Sequence, residues 1–123
     1  MQNVWTQSKV PRKVINLKHQ DYLKLVLLEL QKMYPKSRFW QAPTGTALSM
    51  NGDRILKFGI DGQADITASM YPNGRRAEIE IKVGKDKQRE SQKNFEKMIT
   101  ATGALYIIVD DKKSIEEQIK CLA

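Results

Sequence analysis

The sequence predicts an α/β protein in which a mixed β-sheet is flanked by helices. Three stretches carry this. ADITASMY at 64–71 and RRAEIEIKV at 75–83 read as two strands, and Asn73-Gly74 between them marks a hairpin, because a tight type I′ turn needs φ > 0 at both central residues. After Gly84 the pattern turns helical: KDKQRESQKNFEKMITA sets Phe95, Met98 and Ile99 on one side. ALYIIV at 104–109 is a continuous apolar run, expected as a strand buried on both faces. A hairpin feeding a helix that crosses to a buried strand gives a mixed sheet covered by helices.

The elements follow in order. Residues 1–18 carry Lys9, Arg12, Lys13 and Lys18 and no acid, so they read as a basic arm ahead of a single domain over 19–123. HQDYLKLVLLELQKM at 19–33 repeats Tyr22, Leu23, Val26, Leu27 and Leu30 at helical spacing. Leu25 and Leu28 broaden its apolar face, so the helix is expected to be largely buried. Tyr34-Pro35 stops it. RFWQA at 38–42 is a short strand. PTGTALSMNGD at 43–53 is a loop, from which Thr44, Gly45 and Thr46 could reach into a groove. RILKF at 54–58 is a further extended piece, and GIDGQ a glycine-rich joint. Thr102-Gly103 ends the second long helix. Ser114 with Glu117 forms a capping box for a last short one. The expected order is α-β-β-β-α-β-α. Trp40, Phe58, Phe95 and Tyr106 are assigned to the core, while Trp5 and Tyr71 suit an interface or a nucleic-acid contact.

Composition narrows the function classes. A chain of 123 residues fits one domain with a real core, and 41% hydrophobic residues excludes a disordered polar chain. The net charge of +7 and pI near 9.6 favour a polyanionic partner, most often nucleic acid. The single cysteine, Cys121, allows neither an internal disulfide nor a multi-cysteine zinc site. The N-terminus lacks the apolar run of a secretory leader, and the stretch Leu25 to Leu28 is too short to span a bilayer. A cytoplasmic protein with no membrane partner is expected.

AEIEIKV at 77–83 places Glu78, Glu80 and Lys82 in one row and Ala77, Ile79, Ile81 and Val83 in the other. The charged row is either a solvated sheet face or a site. A two-residue turn at Asn73-Gly74 would set Thr67 opposite Glu80 and Asp65 opposite Lys82. Asp65 and Glu80 are then diagonal neighbours, with backbones roughly 7–8 Å apart. Two carboxylates at that spacing can share a small divalent cation, and Asp is otherwise disfavoured in a strand. In the site reading, Asp65, Glu80 and the backbone carbonyl of Ile81 hold Mg²⁺ or Mn²⁺. The ion polarises a phosphodiester and acidifies a bound water. Lys82 orients or deprotonates that water, or stabilises the charged transition state. Lys85, Lys87, Arg89 and Lys93, on the first turns of the next helix, would grip the phosphate backbone together with Arg12 and Lys13 of the arm.

These residues resemble the PD-(D/E)XK nuclease superfamily. Gly59-Ile60-Asp61-Gly62-Gln63-Ala64-Asp65-Ile66 looks like its G-x-P-D segment, with Ala64 where proline is usual, and Glu80-Ile81-Lys82 matches its E-x-K. The run Gln88 to Gln92 resembles the s-x-x-Q that opens the following helix in the VRR-NUC family. Gly103-Ala104-Leu105-Tyr106 is similar to that family's entry into its last core strand. The likeness covers about residues 19–120 and is to the small stand-alone proteins of phages and bacteria. It implies a PD-(D/E)XK nuclease-like sheet and metal-dependent cleavage of DNA, often branched, by homodimers. Asp65 and Glu80 would be metal ligands, Lys82 the catalytic lysine, and Gln92 a helper from the helix. The family's acid near the start of the first helix falls at His19, with Asp21 nearby. Glu29, two turns on, reads as a local salt bridge. His19 itself reads first as a capping or surface residue.

Two readings of function follow. One is a divalent-metal-dependent endonuclease acting on branched, flap or Holliday-junction DNA in a bacterial or phage-infected cell. The other is a non-catalytic nucleic-acid-binding module derived from such a fold. Charge alone also allows a basic subunit of a larger assembly.

Overall fold

The computed structural model describes residues 14–43 and 45–123, and the side chains of these apart from 14–17, 45–47, 57 and 58. Trp5, Arg12, Lys13 and Thr44, and the side chain of Phe58, lie outside the described residues. The elements are α1 (Val14–Met33), β1 (Arg38–Gln41), β2 (Gly45–Leu48), β3 (Ile55–Phe58), β4 (Ile66–Met70), β5 (Arg75–Lys82), α2 (Glu90–Ala101), β6 (Leu105–Asp110) and α3 (Ile115–Ile119), with a final 3₁₀ turn over Lys120–Leu122.

A four-stranded mixed sheet runs β1-β4-β5-β6. β4 pairs antiparallel with β1 and β5, and β5 pairs parallel with β6. Its strands and the helices give the expected order α-β-β-β-α-β-α. The extended piece at 54–58 does not join this sheet. It pairs as β3 with β2, which occupies part of the stretch expected to be loop, in a separate two-stranded hairpin. Gly45 and Thr46 are therefore strand residues.

One face of the sheet, Ile66, Ala68, Met70, Ala77, Ile79, Ile81 and Val109, packs against Leu23, Val26 and Leu30 of α1 and Ile119 of α3. The α1 residues recur at i, i+3 and i+7, the stripe a helix lays on a flat partner. Tyr22 and Tyr34 lock the layer with hydroxyls that donate to the carbonyls of Asp110 and Ile119. α1 begins at Val14, so residues 14–18 are helix rather than arm. It is also less buried than expected. Leu25 and Leu28 lie off the stripe and are 53% and 61% exposed. On the other face α2 packs Phe95 and Ile99 against Ala64, Ala104 and Tyr106.

Three further expectations are corrected. β6 is an edge strand with Ile108 half-exposed, because no further strand forms beyond it. Its apolar run does not signal burial on both faces. Trp40, on edge strand β1, is also half-exposed rather than core. α2 starts at Glu90, so Lys85, Lys87 and Arg89 lie on the segment before the helix. Among the described residues, no helix is long and apolar enough to cross a membrane.

Candidate active site

The hairpin register differs from the expected one by two residues. Ile66 pairs with Ile79 and Thr67 with Glu78. The chain turns over four residues, Tyr71 to Gly74, closed by the Gly74 N–H on the Met70 carbonyl at 2.7 Å. The tighter turn would have set Pro72 opposite Arg75, where proline has no N–H to give the ladder. A two-residue shift preserves which face each side chain occupies. Asp65 therefore stays on the face of Glu80 and Lys82. Extending the register one residue past β4 sets it across from Glu80 rather than Lys82.

The charged row is not solvated. Glu78, Glu80, Lys82 and Thr67 are all buried, and Gln92 of α2 reaches Glu80 and Lys82. Within the row the two glutamates differ. Glu78 is fully satisfied: Arg76 Nε donates to its Oε2 at 2.6 Å and Thr67 Oγ1 to its Oε1 at 3.3 Å. Burial still pushes its carboxyl up from the usual carboxylate range.

Glu80 sits in a network built from three elements. Gln92 Nε2 donates to Glu80 Oε2 at 2.9 Å, and Lys82 Nζ lies 3.4 Å from the same oxygen. Lys82 Nζ also donates to Gln92 Oε1 at 2.8 Å. That Gln92 oxygen in turn accepts the Arg89 N–H at 2.8 Å, so one side chain starts α2 and fixes the lysine. Asp65 Oδ2 accepts the Ile81 N–H at 2.8 Å, tying the carboxylate to the strand that carries Glu80 and Lys82. His19 Nε2 stands 3.8 Å from the same Asp65 oxygen. With α1 starting at Val14, His19 lies inside the helix and caps nothing. The fold brings it to the site.

Glu80 Oε1 has no hydrogen-bond partner although it is buried. Burial first, and the nearby Asp65 charge second, push the Glu80 carboxyl up to about 8 against the opposing pull of Lys82. Buried acceptors are nearly always satisfied, so this oxygen calls for an ion, a water or a proton shared with Asp65. The donor chemistry of two neighbouring carboxylates, Glu80 on β5 and Asp65 just before β4, suits a hard divalent cation that keeps several waters. Among the described residues, no group of three or more His, Cys, Asp or Glu is placed to hold a metal ion.

The remaining predicted residues sort by position. Lys85, Lys87, Arg89 and Lys93 are exposed, the first three on the segment leading out of β5 and Lys93 in the first turn of α2. Glu29 pairs with Lys32 at 3.6 Å, a local helix contact. Asp21 lines a small cleft with Tyr22, Val83 and Asp111, apart from Glu80.

Sequence reasoning missed three supports of the site. Gly62 presses against the first turn of α2, where an added Cβ would meet the Ser91 carbonyl oxygen at 2.0 Å. Ala64, standing where the resembling pattern has proline, is buried in one cluster with Phe95. Gln88 links Glu96 and the Tyr106 hydroxyl at 2.9 and 3.3 Å. Burial, with the charge of Glu80 adding, pushes that phenol up to about 12. All three fall in stretches the sequence already marks, but the contacts they make carry no sequence signal.

Removing the Gln92 amide would leave Lys82 Nζ and Glu80 Oε2 each short of one buried hydrogen bond. Gln92→Ala is expected to lower stability by about 2–3 kcal/mol, read from urea unfolding. An unchanged midpoint would mean that water replaces the amide.

Compared with known proteins, the chain matches no family model, and no characterised sequence matches it at a significant level.

Proposed function

We propose that the chain is a divalent-metal-dependent DNA endonuclease of the PD-(D/E)XK type, resembling the VRR-NUC family in pattern, acting on branched or flapped DNA. The observation that carries this is Glu80: a buried carboxylate with one oxygen unpartnered, beside a second carboxylate and a fixed lysine. A purely structural row would be satisfied throughout, as Glu78 is.

Asp65, Glu80 and the Ile81 carbonyl would hold Mg²⁺ or Mn²⁺. When bound, the cation supplies Lewis-acid polarisation of the phosphate and a more acidic water. Gln92 holds the Lys82 ammonium next to Glu80, so its charge is in place for the negative charge that builds on the phosphate. His19 approaches Asp65 from α1, its Nε2 3.8 Å from Oδ2. Lys85, Lys87, Arg89 and Lys93 carry the flanking phosphates, a contact that confers affinity and not sequence choice. In a two-fold homodimer, paired sites would face the two sides of a junction.

The test is cleavage of end-labelled duplex, single-stranded, flap and four-way-junction DNA with Mg²⁺, Mn²⁺ or EDTA. Cutting in either metal is expected, none in EDTA, and the flap or junction should be cut fastest. Equal binding with and without EDTA, and no cutting in any lane, would instead establish a non-catalytic nucleic-acid-binding module.

A further inference from the structure

A cleft of about 490 Å³ opens beside Lys82, between the ends of β5 and β6 and the segment that leads to α2. Lys82, Lys85, Lys87 and Lys112 stand around it against two acids, Asp86 and Asp110. Lys82 is held by Gln92. Lys112 is held by the Gly84 carbonyl, and its Nζ lies 3.6 Å from Asp111. Lys85 and Lys87 line the same wall two residues apart, and neither has an ion-pair partner among the described residues. Asp110 is partly spoken for, since its Oδ1 accepts the Lys112 N–H at 3.0 Å.

The cleft also has an apolar lining. Ile108 is 39% exposed there, an isoleucine left bare among lysines. The β5–β6 register sets Ile108 beside Glu80 and Asp110 beside Lys82, on the face of the site. The cleft thus meets the Glu80 network at Lys82, and its volume lies in the range of small-molecule sites. Phosphate suits two free ammonium groups, and a sugar or base suits an exposed isoleucine.

We propose that this cleft is a single-nucleotide subsite. It takes the nucleotide next to the cleaved phosphate, with its own phosphate between Lys85 and Lys87 and its sugar or base over Ile108. Its place beside the cut rests on the nuclease reading; its binding of a nucleotide does not. A nucleotide inside a duplex would have to leave its stack to lie on Ile108, at a cost of a few kcal/mol that an unpaired strand does not meet. The preferred substrate class is therefore DNA with an unpaired strand at the cut, a flap rather than a continuous duplex.

The experiment is a titration with thymidine 3′,5′-bisphosphate in EDTA, followed by NMR of labelled isoleucine methyls and backbone amides. Ile108→Val assigns the methyl. Saturable shifts are expected at Ile108, Lys87 and Gln88. Lys85→Ala/Lys87→Ala should weaken binding at least about fivefold, and thymidine without phosphate at least about tenfold. Ile108→Asp should weaken it as well. All are surface changes, so an unchanged melting temperature verifies folding. Shifts that bypass Ile108, or binding that the double variant leaves intact, would overturn the subsite. Because no metal or cutting enters, failure to cleave DNA leaves this result standing, and cleavage with an empty cleft removes only the subsite.

Discussion

Glu80→Gln is expected to abolish metal-dependent cleavage and, in EDTA above neutral pH, to raise the stability of the fold. The two effects share one cause. The carboxylate is buried with one oxygen that no donor group satisfies, close to the Asp65 carboxylate. Burial and the charge of Asp65 hold its carboxyl up at about 8, against 4.5 for a free glutamate. The sign follows from proton counting. Below about pH 4.5 the group is protonated both folded and unfolded, and full stability is present. Between about 4.5 and 8 the unfolded chain releases a proton that the folded metal-free chain keeps. Stability then falls by up to about 1.4 kcal/mol per pH unit, and the loss is complete above the folded value. Glutamine keeps the shape and carries no proton to lose. Glu78 is pushed up in the same direction but is present in both proteins, so the difference between them isolates Glu80. Urea unfolding at pH 5, 7 and 9 in EDTA should give near-equal stability at pH 5 and an advantage of a few kcal/mol for the variant at pH 9. Cleavage should fall more than about 100-fold, the upper range for losing a mere supporting group of a metal site. A variant no more stable at pH 9 would mean that the wild-type carboxylate is not strained, and the case for a cation there would fall with it.

Much of this geometry was legible, for identifiable reasons. The alternation of AEIEIKV separates its two rows whatever the register, because side chains alternate with a period of two. The misplaced turn slid the strands by two residues and left Asp65, Glu80 and Lys82 on one face. Gln92 was named because the run Gln88 to Gln92 resembles a family pattern; its capping of α2 is seen only in the structure. Alternation could not say that the charged row was buried. Charged residues on a strand usually mark the wet face, and the partners that bury this one, Gln92 of α2 among them, come from elsewhere in the chain. Nor could it place the start of α2. Lys, Gln and Arg at 85–89 are good helix formers, and the helix begins at Glu90 because the Gln92 side chain takes the Arg89 N–H. Leu25, Leu28 and Ile108 read as buried because they are apolar. Their exposure reflects which partners are absent, which periodicity does not carry.

Gly62→Ala is expected to be among the most damaging single changes in the chain, and for a reason separate from chemistry. Gly62 has φ +78, in the left-handed region, where a Cβ costs about 1 kcal/mol. Gly52 has φ +77 and nothing within 4 Å of an added Cβ, so Gly52→Ala meets that cost alone. At Gly62 the same atom would fall 2.0 Å from the Ser91 carbonyl oxygen, 2.3 Å from its carbon and 2.8 Å from the Gln92 nitrogen. These are backbone atoms of the first turn of α2 and cannot swing aside as a side chain would. Either the 59–63 loop or the helix end must move, and Asp65 follows the first while Gln92 rides on the second. Gly62→Ala should therefore cost about 3 kcal/mol or more, at least about 2 beyond Gly52→Ala. Thermal melts of the two variants measure that difference directly. In protein still folded at low temperature, Gly62→Ala should also cut DNA more slowly, because displacing Gln92 releases Lys82 from its position beside Glu80. Equal melting of the two variants would mean that the loop yields without moving the helix, and the first turn of α2 would then be held by the Gln92 network rather than by the close approach at Gly62.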